Sequence, residues 1–272
     1  DNQYYFKRDS LYGHYDDAER FAFFSRAVLE IIPYIDFTPD IIHCNDWQTA
    51  LIPVYLNAFY RFNPLYGNMK TVFTIHNIQY QGKYGHELTE DVLGLPPENA
   101  SLIDYDRCVN FMKGAIQCAD KVTTVSPTYS REILDPYYSH GLDTILKMFT
   151  FKLTGIVNGI DTEVYNPETD PLIYKNFSVK KIDGKAVNKR KLQEELGLPQ
   201  KADTPVIGIV TRLVKHKGID LVKCVFEDML RADLQFAILG SGEWEFETFF
   251  GEMARKYPDK VGLKLGFNPQ LA

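Results

Sequence analysis

The sequence predicts an α/β protein that contains two doubly wound parallel sheets. Short β-branched apolar runs alternate with amphipathic stretches of helical spacing, which is the pattern of βαβ units. A polar connection over residues 165–203, rich in Pro, Lys, Asn and Asp, separates two such series. We therefore expect a first domain at 1–155 and a second at 156–272, with both sheets incomplete in this chain.

The first series begins with a helix and then alternates strands with helices. Residues 17–32 carry apolar side chains at helical spacing and predict the first helix. Pro127 follows Ser126 and occupies a favoured first helical position. The same patterns predict strands at 39–46, 70–77, 121–126 and 153–161, and helices at 47–62, 104–119 and 127–134.

The second series follows the polar connection and a short helix at 185–196. The run PVIGIV at 205–210 is almost wholly apolar and rich in β-branched residues, which predicts a buried parallel strand. The remaining predicted elements are helices at 219–231 and 243–257 and strands at 234–240 and 261–267.

Composition excludes several classes of protein. The 272 residues are 45% hydrophobic and 14% aromatic, enough to bury a core, so the chain is not intrinsically disordered. A net charge of −6 argues against nucleic acid as a partner. No apolar run approaches the roughly 20 residues of a membrane helix, so we expect no membrane association.

Cysteine use and the ends of the chain give two further expectations. Four scattered cysteines without a C-x-x-C pair favour reduced thiols in a cytoplasmic protein. The sequence starts without an initiator Met or a signal peptide, and it ends where a helix is expected to start. We therefore expect a fragment of a longer protein, and the sequence leaves its oligomeric state open.

The connection between the predicted strand at 205–210 and the next helix is the most informative segment. Arg212 and Lys217 lie on this strand-to-helix turn, where backbone N–H groups and the helix dipole attract anions. Lys215 and His216 share the loop and add to the local field. The pattern predicts a pyrophosphate site, and a solvated basic loop is the alternative interpretation.

Polar residues follow other predicted strands, where ligands of open parallel sheets bind. Each has a structural alternative: His76 as a core histidine, Asp46 as a helix N-cap, and Asn158 with its following glycine as a tight turn. Several such residues at one kind of strand end favour a site over these alternatives.

Four familiar site types find no match in the sequence. Gly240 and Gly242 are half of a dinucleotide fingerprint, but Glu245 stands where the third glycine belongs, which excludes a nicotinamide-nucleotide site. The two glycines still permit a ligand to approach the backbone closely. His43, Cys44 and Asp46 lack a second cluster that would complete a zinc site, so no metal site is predicted. The nucleophile-elbow and phosphate-loop motifs do not occur either.

Seven segments, in order and over nearly the whole chain, resemble the bacterial glycogen synthases and starch synthases of glycosyltransferase family 5. As a set they are specific, although no single segment would suffice. They are DDAERFAFFSRAVLE (16–30), PDIIHCNDWQTALIPVYL (39–56), TVFTIHNIQYQGKYG (71–85), KGAIQCADKVTTVSPTYSREI (113–133), LTGIVNGIDTEVYNPETD (153–170), TRLVKHKGIDLV (211–222) and ILGSGE (238–243). The resemblance implies the GT-B architecture of two Rossmann-like domains, with the acceptor side in the first and the donor nucleotide site in the second.

It also implies an activity, the transfer of glucose with retention from ADP-glucose to the 4-hydroxyl of an α-1,4-glucan. The sequence does not exclude UDP-glucose as donor, although the bacterial-type motifs favour ADP. No cofactor is implied if basic side chains neutralise the departing diphosphate. A GT-B transferase with a small acceptor and a non-catalytic glucan- or nucleotide-binding module are the alternatives.

The resemblance implies a role for each candidate residue. Arg212 and Lys217 would contact the diphosphate, and His76 the donor glucose near its anomeric centre and 6-hydroxyl. The other assignments are Asp46 in the acceptor-side cleft, Asn158 on the donor, Asn77 in substrate binding, and Gly240 with Gly242 along the nucleotide pocket. The family's Lys-x-Gly-Gly-Leu loop and its later glutamate motif with Phe-Glu-Pro-Cys-Gly are absent. We therefore expect this piece alone to be inactive.

Overall fold

A computed structural model of the protein describes residues 3–272, apart from the side chain of Tyr4. The chain divides into two compact units, the first ending at Gly159 and the second running from Ile160 to Ala272. Each unit contains its own parallel sheet. None of the helices within residues 3–272 combines the length and the apolar character that spanning a lipid bilayer requires.

The first unit alternates helices and strands along the sequence. Its helices are α1 Gln3–Phe6, α2 Asp17–Ile31, α3 Leu51–Tyr55, α4 Leu88–Asp91, α5 Pro97–Ala100, α6 Phe111–Cys118, α7 Tyr129–Glu132 and α8 Asp143–Met148. Its strands are β1 Ile41–Asn45, β2 Lys70–Ile75, β3 Lys83–Tyr84, β4 Asp104–Tyr105, β5 Cys108–Asn110, β6 Lys121–Thr124 and β7 Leu153–Gly155. The 3₁₀ turns lie at Ile32–Tyr34, Trp47–Thr49 and Thr150–Lys152, and a π-helical turn continues α3 over Leu56–Tyr60.

The main sheet of this unit has the parallel order β1-β2-β6-β7. Alternate residues of its strands are buried, among them Cys44, Phe73 and Val122, and they form one apolar cluster with residues of α2, α3 and α6. On the other face of β1, Ile41, His43 and Asn45 are exposed. Polar side chains at the carboxyl end of β1 are therefore accessible, whereas Thr74 near the end of β2 is buried. A small antiparallel sheet has the order β3-β5-β4, and its strands come between β2 and β6 in the sequence.

The second unit holds α9 Gly184–Glu195, β8 Val206–Val210, α10 Ile219–Met229, β9 Gln235–Gly240, α11 Trp244–Lys256 and β10 Val261–Leu265. Its sheet is parallel, in the order β10-β9-β8, and β9 is buried along its whole length because it is central. Phe226, Phe236 and Phe250 pack ring to ring in the core, with centroids 4.4 Å apart for Phe226–Phe236 and 5.3 Å for Phe226–Phe250.

Four predicted elements differ from the structure. The predicted helix at 104–119 begins only at Phe111, because Asp106 and Arg107 adopt positive φ angles of 52° and 62° and turn β4 back into β5. The Asn110 side chain then caps α6 by accepting a hydrogen bond from Lys113 N. The predicted helix at 47–62 is instead a succession of 3₁₀, α and π turns.

The other two differences concern strands. The strand predicted at 153–161 ends at Gly155, because its partner β6 ends at Thr124, whose carbonyl accepts the last ladder bond from Ile156 N at 2.8 Å. The strand β8, predicted to be buried, is half-exposed at the edge of its sheet, and Val210 is 56% exposed. An apolar run reveals the strand but not how many neighbours cover it.

All four cysteines are free thiols. Burial raises the pKa of Cys44 to about 12 and that of Cys118 to about 11. Cys108 is half-buried, and Cys224 is exposed on α10. The thiols thus range from buried to exposed.

Candidate active site

The carboxyl ends of β1 and β2 bring Asp46, His76 and Asn77 together in the first unit. One carboxylate oxygen of Asp46, Oδ1, accepts hydrogen bonds from the backbone N–H groups of His76 at 2.8 Å and Asn77 at 3.3 Å. The ring Nε2 of His76 lies 2.9 Å from Oδ1 of Asn45. Parallel strand ends thus bring these residues together as expected, although no role in the site was predicted for Asn45.

Asp46, which holds this cluster together, has an uncommon backbone conformation. Its φ is 55° and its ψ −176°, a region that non-glycine residues rarely occupy. The chain is fixed on both sides: Asp46 N donates to Thr74 O at 2.9 Å, and Thr49 N donates to Asp46 O at 3.2 Å. The alternative interpretation of Asp46 as a helix N-cap is not observed, since its side chain makes no capping bond to the following 3₁₀ turn. Its carboxylate instead fixes the turn after β2.

A polar ladder crosses the sheet behind the cluster. Nε2 of His43 lies 2.7 Å from Oγ1 of Thr74, which lies 2.6 Å from Oγ1 of Thr123. The three side chains come from β1, β2 and β6, so they link three neighbouring strands just before their carboxyl ends. His43 thus has a structural partner in this ladder.

A cavity of about 400 Å³ is lined by Trp47 and by the loop at 79–84. In the sequence, Trp47 follows Asp46 directly and the loop begins two residues after Asn77. Gly82 has a φ of 66°, and a methyl group there would lie 2.8 Å from the Trp47 ring, so only glycine lets the ring and the loop pack together. The buried Gln81 side chain donates to His140 O at 3.1 Å and accepts from Asn110 Nδ2 at 2.7 Å. These residues were not predicted as site residues, although their polar and glycine-rich motif was an available signal.

In the second unit, Arg212 and Lys217 lie on the connection from β8 to α10, as the sequence predicts. Lys217 ends a 3₁₀ turn, and Gly218, with a φ of 75°, leads into the helix. Both basic side chains are exposed. Within the part of the chain that the structure describes, neither forms an ion pair or a side-chain hydrogen bond. Their charges are therefore available to an anion.

The Gly-Ser-Gly turn after β9 packs directly against this connection. Leu213 N donates to Ser241 O and Glu243 N donates to Leu213 O, each at 2.9 Å. A methyl group on Gly240 would overlap Thr211 O, and one on Gly242 would overlap Leu213 O. The close approach that these glycines permit is thus made by the protein's own backbone, and their contact with a nucleotide stays a prediction.

Two carboxylates from the start of α11 complete the local hydrogen bonding. Glu243 Oε1 accepts from Lys215 N at 3.2 Å, and Glu247 Oε1 accepts from Gly242 N at 2.7 Å. Anionic groups at a helix N-terminus are favourable with respect to the helix dipole. They also show that backbone N–H groups of both turns are directed toward an anionic acceptor.

Among the described residues, Asn158 and a larger cavity share no hydrogen bond or lining residue with the two clusters. Asn158 is exposed in the irregular segment after β7, and its side chain makes no hydrogen bond with any described residue. A larger cavity of about 960 Å³ in the second unit, bordered by Tyr174, Val206 and Gly208, contains none of the predicted site residues. Among the described residues, no group of three or more His, Cys, Asp or Glu side chains is placed to hold a metal ion.

Comparison with solved structures confirms the predicted fold class, α/β with the GT-B architecture. The catalytic domain of starch synthase IV from Arabidopsis thaliana, solved with ADP and acarbose bound, has a TM-score of 0.88 with this chain and is 35% identical. The match covers 97% of this chain and 55% of that one. The chain is thus a GT-B protein.

Sequence comparison defines the family. The family profile described as the starch synthase catalytic domain matches residues 1–148. The glycogen synthases of Anoxybacillus flavithermus and Geobacillus thermodenitrificans are 53% and 50% identical over the whole chain. This chain spans 57% and 56% of their lengths. The chain belongs to the starch synthase catalytic-domain family, which confirms the resemblance.

Proposed function

We propose that the full-length protein is a retaining glucosyltransferase that moves glucose from ADP-glucose to the 4-hydroxyl of an α-1,4-glucan end. The glycogen synthases at about half identity support the reaction, and the ADP-bound starch synthase IV supports the nucleotide. UDP-glucose is the alternative donor. The acceptor side is assigned to the first unit and the donor nucleotide to the second.

The observation that carries this proposal is the pair of exposed cations, Arg212 and Lys217, at the carboxyl edge of the second sheet. As the bond from the anomeric carbon to the phosphate oxygen breaks, negative charge grows on the departing diphosphate. A fixed cation ~4 Å away is worth about 4 kcal/mol at an effective dielectric near 20. Such preorganised charges stabilise the transition state more than the ground state, so no metal cofactor is proposed.

The first unit would supply the sugar contacts. His76 would lie near the anomeric centre and the 6-hydroxyl of the donor glucose, with Asn77 beside it in substrate binding. Asp46 would border the acceptor side. It would also keep the turn at His76 in place, a role supported by the hydrogen bonds that its carboxylate accepts from the backbone N–H groups of His76 and Asn77. Asn158 would contact the donor.

The proposal for Gly240 and Gly242 has two parts. Both would line the nucleotide pocket, and both keep the connection that carries Arg212 and Lys217 against the turn after β9.

A cytoplasmic location remains a prediction, supported by four free cysteines.

Replacement of Lys217 by alanine in the full-length protein tests the diphosphate role. We expect turnover with ADP-glucose and glucan to fall by about 1000-fold, the equivalent of about 4 kcal/mol, with unchanged circular dichroism. Lys201→Ala is the matched control, because Lys201 lies before the amino end of β8 and, among the described residues, its side chain pairs only with the exposed Asp233, at 3.8 Å. Near-normal turnover of Lys217→Ala would contradict the proposal.

A donor and acceptor screen on the same protein tests the chemistry. We expect transfer from ADP-glucose to maltooligosaccharides, at a higher kcat/KM than from UDP-glucose. Transfer only to a small acceptor would favour a different GT-B transferase. Tight glucan binding without any transfer or nucleotide effect would favour a binding module.

A further inference from the structure

We infer that Asn45 is a positioning residue for His76, whose imidazole ring it holds through Nε2. The contact itself is independent of the proposed function, whereas its consequence for sugar transfer rests on that function. Asn45 ends β1, and His76 is the first residue after β2. The parallel register places Asn45 opposite Thr74, two residues before His76, so the amide reaches along the neighbouring strand to the ring.

The geometry determines which ring nitrogen is free. Oδ1 of Asn45 lies 2.9 Å from Nε2 of His76. An amide oxygen is an acceptor, so Nε2 carries the hydrogen, and in the neutral ring Nδ1 is then the acceptor. The His76 ring is exposed. Nδ1 is therefore the ring nitrogen left to accept a hydrogen bond from a ligand hydroxyl.

Asn45 is itself held in place from the following turn. Its backbone N–H donates to Oγ1 of Thr49 at 2.6 Å, and the same hydroxyl donates to the Asn45 carbonyl at 2.8 Å. Asp46 fixes the other end of His76, since its carboxylate accepts from the His76 backbone N–H at 2.8 Å. Two consecutive residues thus fix the backbone and the ring of one histidine.

The His76 ring is hydrogen-bonded to a neutral amide, and the carboxylate of Asp46 bonds to its backbone. Among the described residues, Asp46 is the titratable residue that hydrogen-bonds to His76, through the backbone N–H. Tyr129 on α7 is near enough to Asp46 for the carboxylate to contribute to its raised pKa, of which burial is the main cause. An aspartate at residue 45 would place a carboxylate at hydrogen-bond distance from Nε2 of His76.

The test is the pKa of His76, measured by NMR titration of the 272-residue chain in Asn45→Asp and in the control Gln48→Asp. A carboxylate at hydrogen-bond distance favours the imidazolium form, so we expect Asn45→Asp to raise this pKa by about 1 unit or more. Gln48 lies three residues further on, and its side chain makes no hydrogen bond with the described residues. The same charge there should shift the pKa by less than about 0.5 unit, because solvent screens it. Equal shifts in both variants would overturn the inference.

A second variant covers the case in which the new charge disturbs the fold. Asn45→Ala removes the acceptor, and we expect the Nε2 proton of His76 to exchange with solvent at least about tenfold faster, with His86 as an internal reference. Nε2 of His86 bonds to Asp104 at 2.9 Å, away from the substitution. An unchanged exchange rate of the His76 proton would also overturn the inference.

Kinetics of the full-length protein separate this inference from the proposed function. If His76 orients the donor, Asn45→Ala lowers kcat/KM for the nucleotide sugar about 3- to 10-fold, and Asn45→Asp, which keeps the acceptor, restores part of it. A selective titration shift together with a fully active Lys217→Ala would leave the positioning role intact and refute the diphosphate role. Equal titration shifts in the two variants, together with an inactive Lys217→Ala, would refute only the role of Asn45.

Discussion

The contact between the Gly-Ser-Gly turn and the β8–α10 connection gives a sharp stability prediction. In Gly242→Ala, the new methyl group would overlap Leu213 O and lie 2.7 Å from the Leu213 carbonyl carbon. These neighbours are backbone atoms, so the two segments must separate. Separation breaks the bonds from Leu213 N to Ser241 O and from Glu243 N to Leu213 O, both 2.9 Å long.

The size of the effect follows from those two bonds. A net contribution of about 1 kcal/mol for each gives a loss of about 2 kcal/mol in the free energy of unfolding. Gly251→Ala is the matched control, because Gly251 lies inside α11 with open space where the methyl group would go. Alanine is favoured over glycine in a helix interior by about 1 kcal/mol, so this variant should be more stable than the wild type.

Hydrogen exchange of the β9 amides measures both variants. This strand is buried along its whole length, so its exchange reports the opening of the second unit without interference from the first. We expect protection to decrease in Gly242→Ala and to increase in Gly251→Ala. Undiminished protection of β9 in Gly242→Ala would refute the argument that this glycine is required by backbone contact.

Two further predictions concern the first unit. Asn110→Ala removes the cap of α6 and the donor to Gln81 Oε1, at 2.7 Å, and we expect urea unfolding to show a loss of about 2 kcal/mol; unchanged stability would contradict the capping role. Burial raises the pKa of Cys44 from its usual 9 to about 12, so the folded state keeps a proton that the unfolded state releases. This contribution to stability is lost as the pH rises from about 9 to about 12. The urea midpoint should therefore decrease less between pH 8 and pH 10.5 in Cys44→Ala than in the wild type. An identical decrease in both proteins would contradict the raised pKa of Cys44.

Periodicity in the sequence predicts the major elements well, and its failures have local causes. The helix at Asp17–Ile31 and the parallel strands were found because a one-sided apolar pattern records burial on one face. The hairpin before α6 was missed because Asp106 and Arg107, rather than glycine or asparagine, adopt the positive φ angles of its turn. Composition gives little warning of such a turn.

The candidate site was predictable to the extent that it depends on strand ends. Asp46 and His76 meet because parallel strands finish at one edge, a rule that needs no coordinates. The contribution of Asn45 depends on the register of β1 against β2, which sequence patterns do not specify. Gly240 and Gly242 were expected to let a ligand approach the backbone closely. In the structure, the backbone of Thr211 and Leu213 lies close to them, and the ligand contact stays a prediction.

The unequal exposure of the four thiols makes selective labelling practicable. Cys224 is exposed on α10, whereas Cys44 and Cys118 are buried and have raised pKa values, which disfavours the reactive thiolate. A maleimide fluorophore at neutral pH should therefore attach first to α10, the helix that follows the basic connection. The native sequence thus offers a reporter position for nucleotide-binding measurements without removal of any cysteine.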